Sequence, residues 1–373
     1  MLHVREPRTL RKPAGKSKLT ISDITADAVR LSAYEGHERI WLGRDNESGL
    51  TAIVAIHNTA LGPALGGTRV WPHESFEAAL TDALRLSRGM TYKSAIAGTA
   101  FGGGKAVIIA DPKTEKTPSL LSSYADMLAA LEGQFFTAED VGLSLADADF
   151  LRTRAPNVVG TGSGSGNPSP VTAHGVFFGI KAALKHRRGT DSLKGIGVAV
   201  QGLGSVGWAL CEKLHEDGAA LTVTDIDTTR IEEAKRAFGA TALAPDAILS
   251  AEADVFAPCA LGGVLSRETI PSLKAEIVAG SANNQLARHE DARLLMEASI
   301  LYAPDYVINA GGLINVAAEL APGGYDRAAA MARVAQIPKT LSDIFARAER
   351  QRRPTNEVTA EIAMERIKAA AAA

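Results

Sequence analysis

Gly202-Leu-Gly-Ser-Val-Gly207 decides the fold. The pattern is G-x-G-x-x-G, which alone is weak because glycine-rich turns are common. Its flanks make it specific. Gly197 to Val200 reads as a strand before it, Val206 to His215 as the helix it opens, and Ala220 to Thr224 as the next strand. Asp225 closes that strand, at about the 20-residue separation expected of a dinucleotide-binding βαβ unit. Gly202 permits the tight turn, Gly204 admits a pyrophosphate against the backbone, and Gly207 lets helix and strand pack closely. Leu203, Ser205 and Val206 complete the turn, and the first N–H groups of the helix face the phosphates. Asp225 is expected to accept hydrogen bonds from ribose hydroxyls and to repel a 2′-phosphate. No arginine follows before Arg230, so the expected cofactor is NAD rather than NADP.

Further short apolar runs follow at Val255 to Ala257, Glu276 to Ala279 and Ile300 to Tyr302. Strands alternating with helices predict a parallel sheet covered on both faces. Upstream, residues 161–170 are too rich in glycine, serine and proline for regular structure. Ser169-Pro170 then supplies an N-cap and a first-turn proline for a helix to about Lys185. The first half reads as mixed α/β. Ala52 to Ile56 and Ala106 to Ala110 are buried strands. Between them Phe76, Ala79, Leu80, Ala83 and Leu84 share one face of a helix from Ser75 to Arg88, with Gly89 placed to stop it. Leu120 to Leu131 is another helix. The charged, alanine-rich helices from Ala328 to Ala373 are expected to pack back on the first half.

The expected fold is therefore α/β with two domains and an active-site cleft between them. Residues 18–158 plus about 335–373 would form an N-terminal α/β substrate-binding and oligomerisation domain. Residues 159–334 would form the Rossmann-type NAD-binding domain, and 1–17 a basic, disordered extension. The chain is long enough for both cores: 373 residues, 46% hydrophobic and 22% charged. A net charge of −2 argues against nucleic acid or membrane as a partner. The basic residues Arg5, Arg8, Arg11, Lys12, Lys16 and Lys18 gather at the start, without the apolar stretch of a secretory signal. No run is long enough to span a bilayer. Cys211 and Cys259 show neither metal spacing nor a disulfide framework, which fits a reducing cytoplasm and no metal.

A dehydrogenase needs a group that takes a proton as hydride leaves. Gly102-Gly-Gly-Lys105 offers one, just before the strand at Ala106. The glycines would leave room for substrate beside the backbone. Partial burial would lower the lysine's preference for charge and make it a base. Spacing alone still favours a solvated lysine. Lys93 lies just past Gly89 and would bind a substrate carboxylate. Asp140, in Thr137-Ala-Glu-Asp140-Val-Gly142, would relay protons, or merely form a turn.

Taken together, the segments from Asn58 to Arg69, from Gly89 to Lys93, from Gly102 to Lys105, from Thr137 to Gly142, from Gly166 to Thr172 and from Asn309 to Gly312 resemble the motifs of the glutamate/leucine/phenylalanine/valine dehydrogenase family. The similarity runs in order from about Ser32 to Leu320. The resemblance implies Lys105 as catalytic base, Lys93 and Asn284 as partners of the substrate carboxylate, and Asp140 as the group that handles protons at the amino nitrogen. It implies Thr172 and Asn283 at the nicotinamide end of the cofactor, Asn309 among the cofactor-binding residues, and Gly66 and Gly67 lining the substrate pocket. Side-chain pocket positions fall at Leu65, Ala138, Leu313 and Val316. Leucine-acting members carry valine where Leu313 stands here. One methylene shifts preference by only ~1–3 kcal/mol, so leucine and valine both remain open. The expected reaction is NAD-dependent oxidative deamination of leucine, valine or isoleucine to a 2-oxo acid and ammonia, and its reverse, by a homo-oligomer. The alternatives are a dehydrogenase for phenylalanine or tryptophan, and an inactive NAD-binding regulatory protein. A hydroxy-acid dehydrogenase would need an acid–base histidine, and neither His57 nor His174 has a catalytic context.

Overall fold

The computed structural model describes residues 18–372; the basic extension at 1–17 lies outside the described residues. The chain divides into two compact units. Of the described residues, 18–95, 99–167 and 370–372 form the first, and 96–98 and 168–369 the second.

The first unit holds β1 (Thr20–Asp23), α1 (Thr25–Ala28), β2 (Arg39–Asp45), β3 (Leu50–Asn58), β4 (Ala64–Trp71), α2 (Phe76–Ile96), β5 (Gly102–Ile109), α3 (Pro118–Ala130), β6 (Phe135–Ala138) and α4 (Leu145–Arg152). Its sheet runs β1-β2-β3-β5-β4-β6. β3 and β5 pair antiparallel, whereas β4 lies parallel to both β5 and β6. β3 is apolar on both faces because both faces are covered. Val54, Ile56, Ala106 and Ile108 meet Tyr124 and Leu128 of α3 in one core. Ile53, Ala55 and Val107 meet Leu80, Ala83 and Leu84 of α2 in another.

Two expectations change here. Gly89 does not stop α2, which runs on to Ile96 and carries Lys93 in its last turn. A mid-helix glycine costs only about 1 kcal/mol, well within what packing on the sheet supplies. Nor do Gly102, Gly103 and Gly104 precede the strand; they begin it. The room they leave is filled by protein. A Cβ at Gly102 would meet Asn58 O at 2.1 Å, one at Gly103 the Thr91 backbone N at 2.1 Å, and one at Gly104 the Phe135 ring at 2.7 Å.

The second unit begins at α5 (Ser169–Arg188), whose first residue is Ser169 itself, with Pro168 rather than Ser169 in the capping position. There follow β7 (Gly197–Gln201), α6 (Ser205–Glu216), β8 (Ala220–Thr224), α7 (Thr228–Phe238), β9 (Thr241–Ala242), β10 (Val255–Pro258), β11 (Ile277–Val278), α8 (Ala292–Glu297), β12 (Leu301–Tyr302), α9 (Asp305–Ile308), α10 (Gly311–Ala317), α11 (Arg327–Val334), α12 (Ile337–Gln351) and α13 (Thr355–Ala372). The sheet, β12-β11-β10-β7-β8-β9, is parallel throughout. The order reverses at β7, between β10 and β8, which is where such sheets bind ligands.

The C-terminal helices, expected with the first half, cluster with the second unit instead. The apolar face of α12, with Ile337, Leu341, Ile344 and Phe345, joins the core formed by α5 and the parallel sheet. Gly175 and Gly179 of α5 make this contact close: Cβ atoms there would meet Ile337 at 2.9 Å and Leu341 at 3.2 Å. The sequence showed these helices as charged and alanine-rich, but not which face would cover them.

Candidate active site

In the first unit, strand alternation and glycine set the charged groups. Ala106 and Ile108 face α3, so Lys105 and Val107 face α2. The close approach at Gly103 seats Thr91 of α2 against β5, and Lys93 follows two residues later, half-buried. After β6 the chain turns at Asp140, where Leu143 N donates to Asp140 O at 2.9 Å. Gly67 makes room for that turn, since a Cβ there would lie 2.8 Å from Asp140 Cβ. Gly142, at φ +80°, has a left-handed backbone conformation that suits glycine, and a Cβ there would meet Val70 O at 2.1 Å.

These constraints bring Lys105 and Asp140 together. Lys105 Nζ donates to Asp140 Oδ2 at 2.5 Å, with the lysine side chain only 7% exposed. The buried lysine is thus a paired charge and not the solvated one that spacing alone favoured. Arg69 Nε lies 3.5 Å from the same oxygen. Burial pulls the Asp140 carboxyl upward, but the charge and hydrogen bond of Lys105, the charge of Arg69 and the Val141 N–H outweigh it and hold the group below its usual range. Burial and the Asp140 charge push neighbouring Glu139 the other way. Leu65 and Ala138 are buried, paired in the sheet with Gly103 and Phe136, and with Gly67, respectively. Gly66 lies under Gly104, whose carbonyl oxygen a Cβ would strike at 1.9 Å.

In the second unit the cofactor loop works through backbone. Gly202 has φ +97°. A Cβ on Gly207 would sit 2.0 Å from Gly202 O, so this helix–strand contact needs glycine. Gly204 precedes α6 without a side-chain cap, leaving the first N–H groups of Ser205, Val206 and Gly207 for an anion. A Cβ on Gly204 would meet no protein atom nearer than Arg230 Nη1 at 3.9 Å, so the space there suits a ligand. Leu203 N donates to Asp225 Oδ2 at 2.5 Å, and Asp227 N to Asp225 Oδ1 at 2.9 Å. Each Asp225 oxygen keeps acceptor capacity for a ribose hydroxyl.

At the other end of the same sheet edge, Asn309 Nδ2 donates to Ser281 O at 3.1 Å and to Asn283 Oδ1 at 2.8 Å. Its own Oδ1 is buried without a partner. An orphaned amide oxygen calls for a donor, and the carboxamide of a nicotinamide supplies one. Asn284 holds φ +52°, a left-handed conformation that asparagine tolerates. Its carbonyl accepts from Gly263 N at 2.7 Å, and its side chain is exposed. Thr172 packs on α10, where a Cβ at Gly312 would meet its Oγ1 at 2.7 Å. Leu313 and Val316 of α10 are buried. The residues present thus fit a dinucleotide at both its phosphate and its nicotinamide end.

His57 and His174 have other partners. His57 Nδ1 bonds Thr91 Oγ1 at 2.8 Å, and burial, with the charge of His37, lowers it to about 4. His174 packs edge-on against Phe178. Two residues gain a place that sequence reading did not give them. Arg69 lies inside a recognised motif but had no role; its signal was a strand arginine two residues after a pocket glycine. Arg230 Nη1 donates to Leu203 O at 3.0 Å, against the glycine turn. Its distance in sequence hid that contact.

The parallel nucleotide-binding sheet and the lysine–carboxylate pair define a dinucleotide-dependent oxidoreductase. More narrowly, the chain belongs to the glutamate/leucine/phenylalanine/valine dehydrogenase family: the profile described as Glu/Leu/Phe/Val dehydrogenase, dimerisation domain, matches residues 37–155, and that of Glutamate/Leucine/Phenylalanine/Valine dehydrogenase matches 163–234 and 223–373. It is 50% identical over 340 residues to leucine dehydrogenase of Geobacillus stearothermophilus, covering 90% of this chain and 92% of that one. Phenylalanine dehydrogenase of Bacillus thermotolerans is 44% identical over 356 residues, 93% of each chain. The crystal structure of L-tryptophan dehydrogenase from Nostoc punctiforme superposes with a TM-score of 0.81 at 47% identity, covering 91% of this chain and 98% of that one. The fold is that of an amino-acid dehydrogenase, an oxidoreductase with NAD as cofactor. Among the described residues no helix is long and apolar enough to cross a membrane.

Proposed function

We propose that the protein oxidatively deaminates a branched-chain L-amino acid (leucine, valine or isoleucine) to its 2-oxo acid and ammonia, and runs the reverse reductive amination. The observation that carries this is the buried Lys105–Asp140 pair at 2.5 Å. Bound NAD supplies the hydride acceptor. Gly202 to Gly207 and Asp225 hold its phosphates and ribose; Thr172, Asn283 and Asn309 orient its nicotinamide. Lys93 pairs with the substrate carboxylate, helped by Asn284, and so fixes which bond at Cα faces the acceptor. Loss of hydride leaves an imine. In its neutral amine form, Lys105 takes a proton from the water that attacks the imine carbon. Asp140, in hydrogen-bond contact with that lysine, takes and returns protons as ammonia departs. In this scheme residues 18–158 supply substrate chemistry and residues 159–334 the cofactor.

The aliphatic preference rests on Leu65, Ala138, Leu313 and Val316, with Gly66 and Gly67 beside the substrate backbone. All four side chains are uncharged and medium or small, which suits a branched aliphatic group and not a carboxylate. An aromatic substrate is the second reading, favoured by the TM-score of 0.81 to the tryptophan enzyme. A homo-oligomer is in keeping with a family profile described as a dimerisation domain. Two free cysteines, Cys211 and Cys259, suit the cytoplasm. The test is NADH formation with leucine, valine, isoleucine, phenylalanine, tryptophan and glutamate. Branched-chain substrates should give the highest kcat/KM. A best value with an aromatic amino acid selects the second reading, and no turnover with any removes both.

A further inference from the structure

Arg69 sits at the centre of a line of charges in the first unit. Its strand neighbour Thr68 faces α3, bonding Tyr124, so Arg69 faces α2. There its Nη1 donates to Asp82 Oδ2 at 3.0 Å. Asp82 also lies 3.4 Å from His73 Nε2. The other prong of the fork, Nε, is buried without a hydrogen-bond partner, 3.5 Å from Asp140 Oδ2. That same carboxylate oxygen is held by Lys105 at 2.5 Å. Signs alternate along the line: Lys105, Asp140, Arg69, Asp82.

The geometry has two consequences. A guanidinium is a planar fork, so anchoring one prong on Asp82 fixes where the other points. A buried donor without a partner is costly, and its nearest acceptor already has one. Closing the gap to ordinary hydrogen-bond length takes a shift on the order of half an ångström. We propose that Arg69 is a positioning residue, the second partner of Asp140, which receives the carboxylate when Lys105 turns to water or substrate during turnover. Asp140 then exchanges one cation for another instead of being left buried and unpaired. This rests on the roles proposed for Lys105 and Asp140.

The charged groups facing Asp140 are Lys105 from β5 and Arg69 from β4, with Glu139 beside it in its own segment. Asp82 of α2 and His73 of the preceding loop act through Arg69. Removing the Arg69 charge makes Asp140 easier to protonate, which moves the acid limb of kcat to higher pH.

Arg69→Lys keeps the charge and loses the fork; Arg69→Gln loses both; Asp82→Asn loosens the fork while leaving Arg69 in place. Arg69→Lys should lower kcat roughly 10- to 100-fold with little change in KM for amino acid or NAD. Arg69→Gln should fall further and shift the acid limb upward, a shift that Arg69→Lys does not show. Asp82→Asn should show a smaller fall in kcat of the same kind, at an unchanged thermal midpoint. An unchanged kcat in all three overturns the proposal, as does a loss that follows the thermal midpoint with no difference in limb between Lys and Gln. Lys105→Ala is the control. Normal Arg69 variants beside an inactive Lys105→Ala remove the role of Arg69 alone, whereas an active Lys105→Ala removes the site reading beneath it.

Discussion

The two units assemble their candidate site residues by opposite means. The first buries charged side chains and balances them: Lys105 and Asp140 in contact, with Arg69 beside the carboxylate. The second sets Asp225 and Arg230 at its turn but works chiefly by what is missing, through glycines at 202, 204 and 207 and backbone N–H groups at the start of α6. In the proposed reaction a proton must be moved in one half, and a group with a transferable proton is a side chain. A large anionic cofactor must be held in the other, and a preorganised backbone holds phosphates without a side-chain ordering cost. The first unit should therefore be sensitive to removing atoms, and the second to adding them.

The largest effect should come from taking a charge out of the first unit. Asp140→Asn keeps the shape and loses the carboxylate. We expect kcat to fall roughly 100- to 10,000-fold in steady-state assays, with NAD affinity unchanged. Burial of titratable groups also makes this unit acid-sensitive. His57 falls from its ordinary value of 6.5 to about 4 when buried. Between those values the unfolded chain binds a proton that the folded chain refuses. The stability present above pH 6.5 is thus lost as pH falls toward 4, by roughly 3–4 kcal/mol at most. The thermal midpoint should drop across that window, and drop less in His57→Gln.

Adding atoms to the second unit should separate two glycines. Gly207→Ala places a methyl 2.0 Å from Gly202 O and should lower both the thermal midpoint and NAD affinity. Gly204→Ala meets no protein, so it should keep the midpoint and weaken NAD about tenfold or more, worth about 1.4 kcal/mol by titration. Equal midpoint losses in the two variants would count against the ligand space assigned to Gly204. The smallest effect is expected at Leu313→Val, which removes one methylene. It should move the leucine-to-valine ratio of kcat/KM toward leucine by less than roughly tenfold.

Most of the second unit was legible because its signals are local. The strand, glycine turn, helix and Asp225 lie within one continuous stretch, and each constrains the next. The surroundings of Lys105 were not legible. Gly102 to Gly104 look like room for a ligand, yet Thr91, Phe135 and Asn58 fill that room, and those contacts come from distant parts of the chain. Gly89 misled for the same reason: a local stop signal is weaker than the packing of a long helix on a sheet. The C-terminal helices carry an apolar face whose partner no short-range pattern names. Arg69 needed three elements, β4, α2 and the turn after β6, before its unpartnered nitrogen had meaning.

The proposed chemistry stands or falls on Lys105. Lys105→Ala should be mixed with saturating amino acid and NAD in a single-turnover experiment, with NAD binding measured separately by titration. NAD binding should be undiminished, with no release of ammonia or 2-oxo acid at any pH where the fold persists. Product release at the rate of the unmodified protein would contradict that chemistry, since the proton would then be taken by some other group.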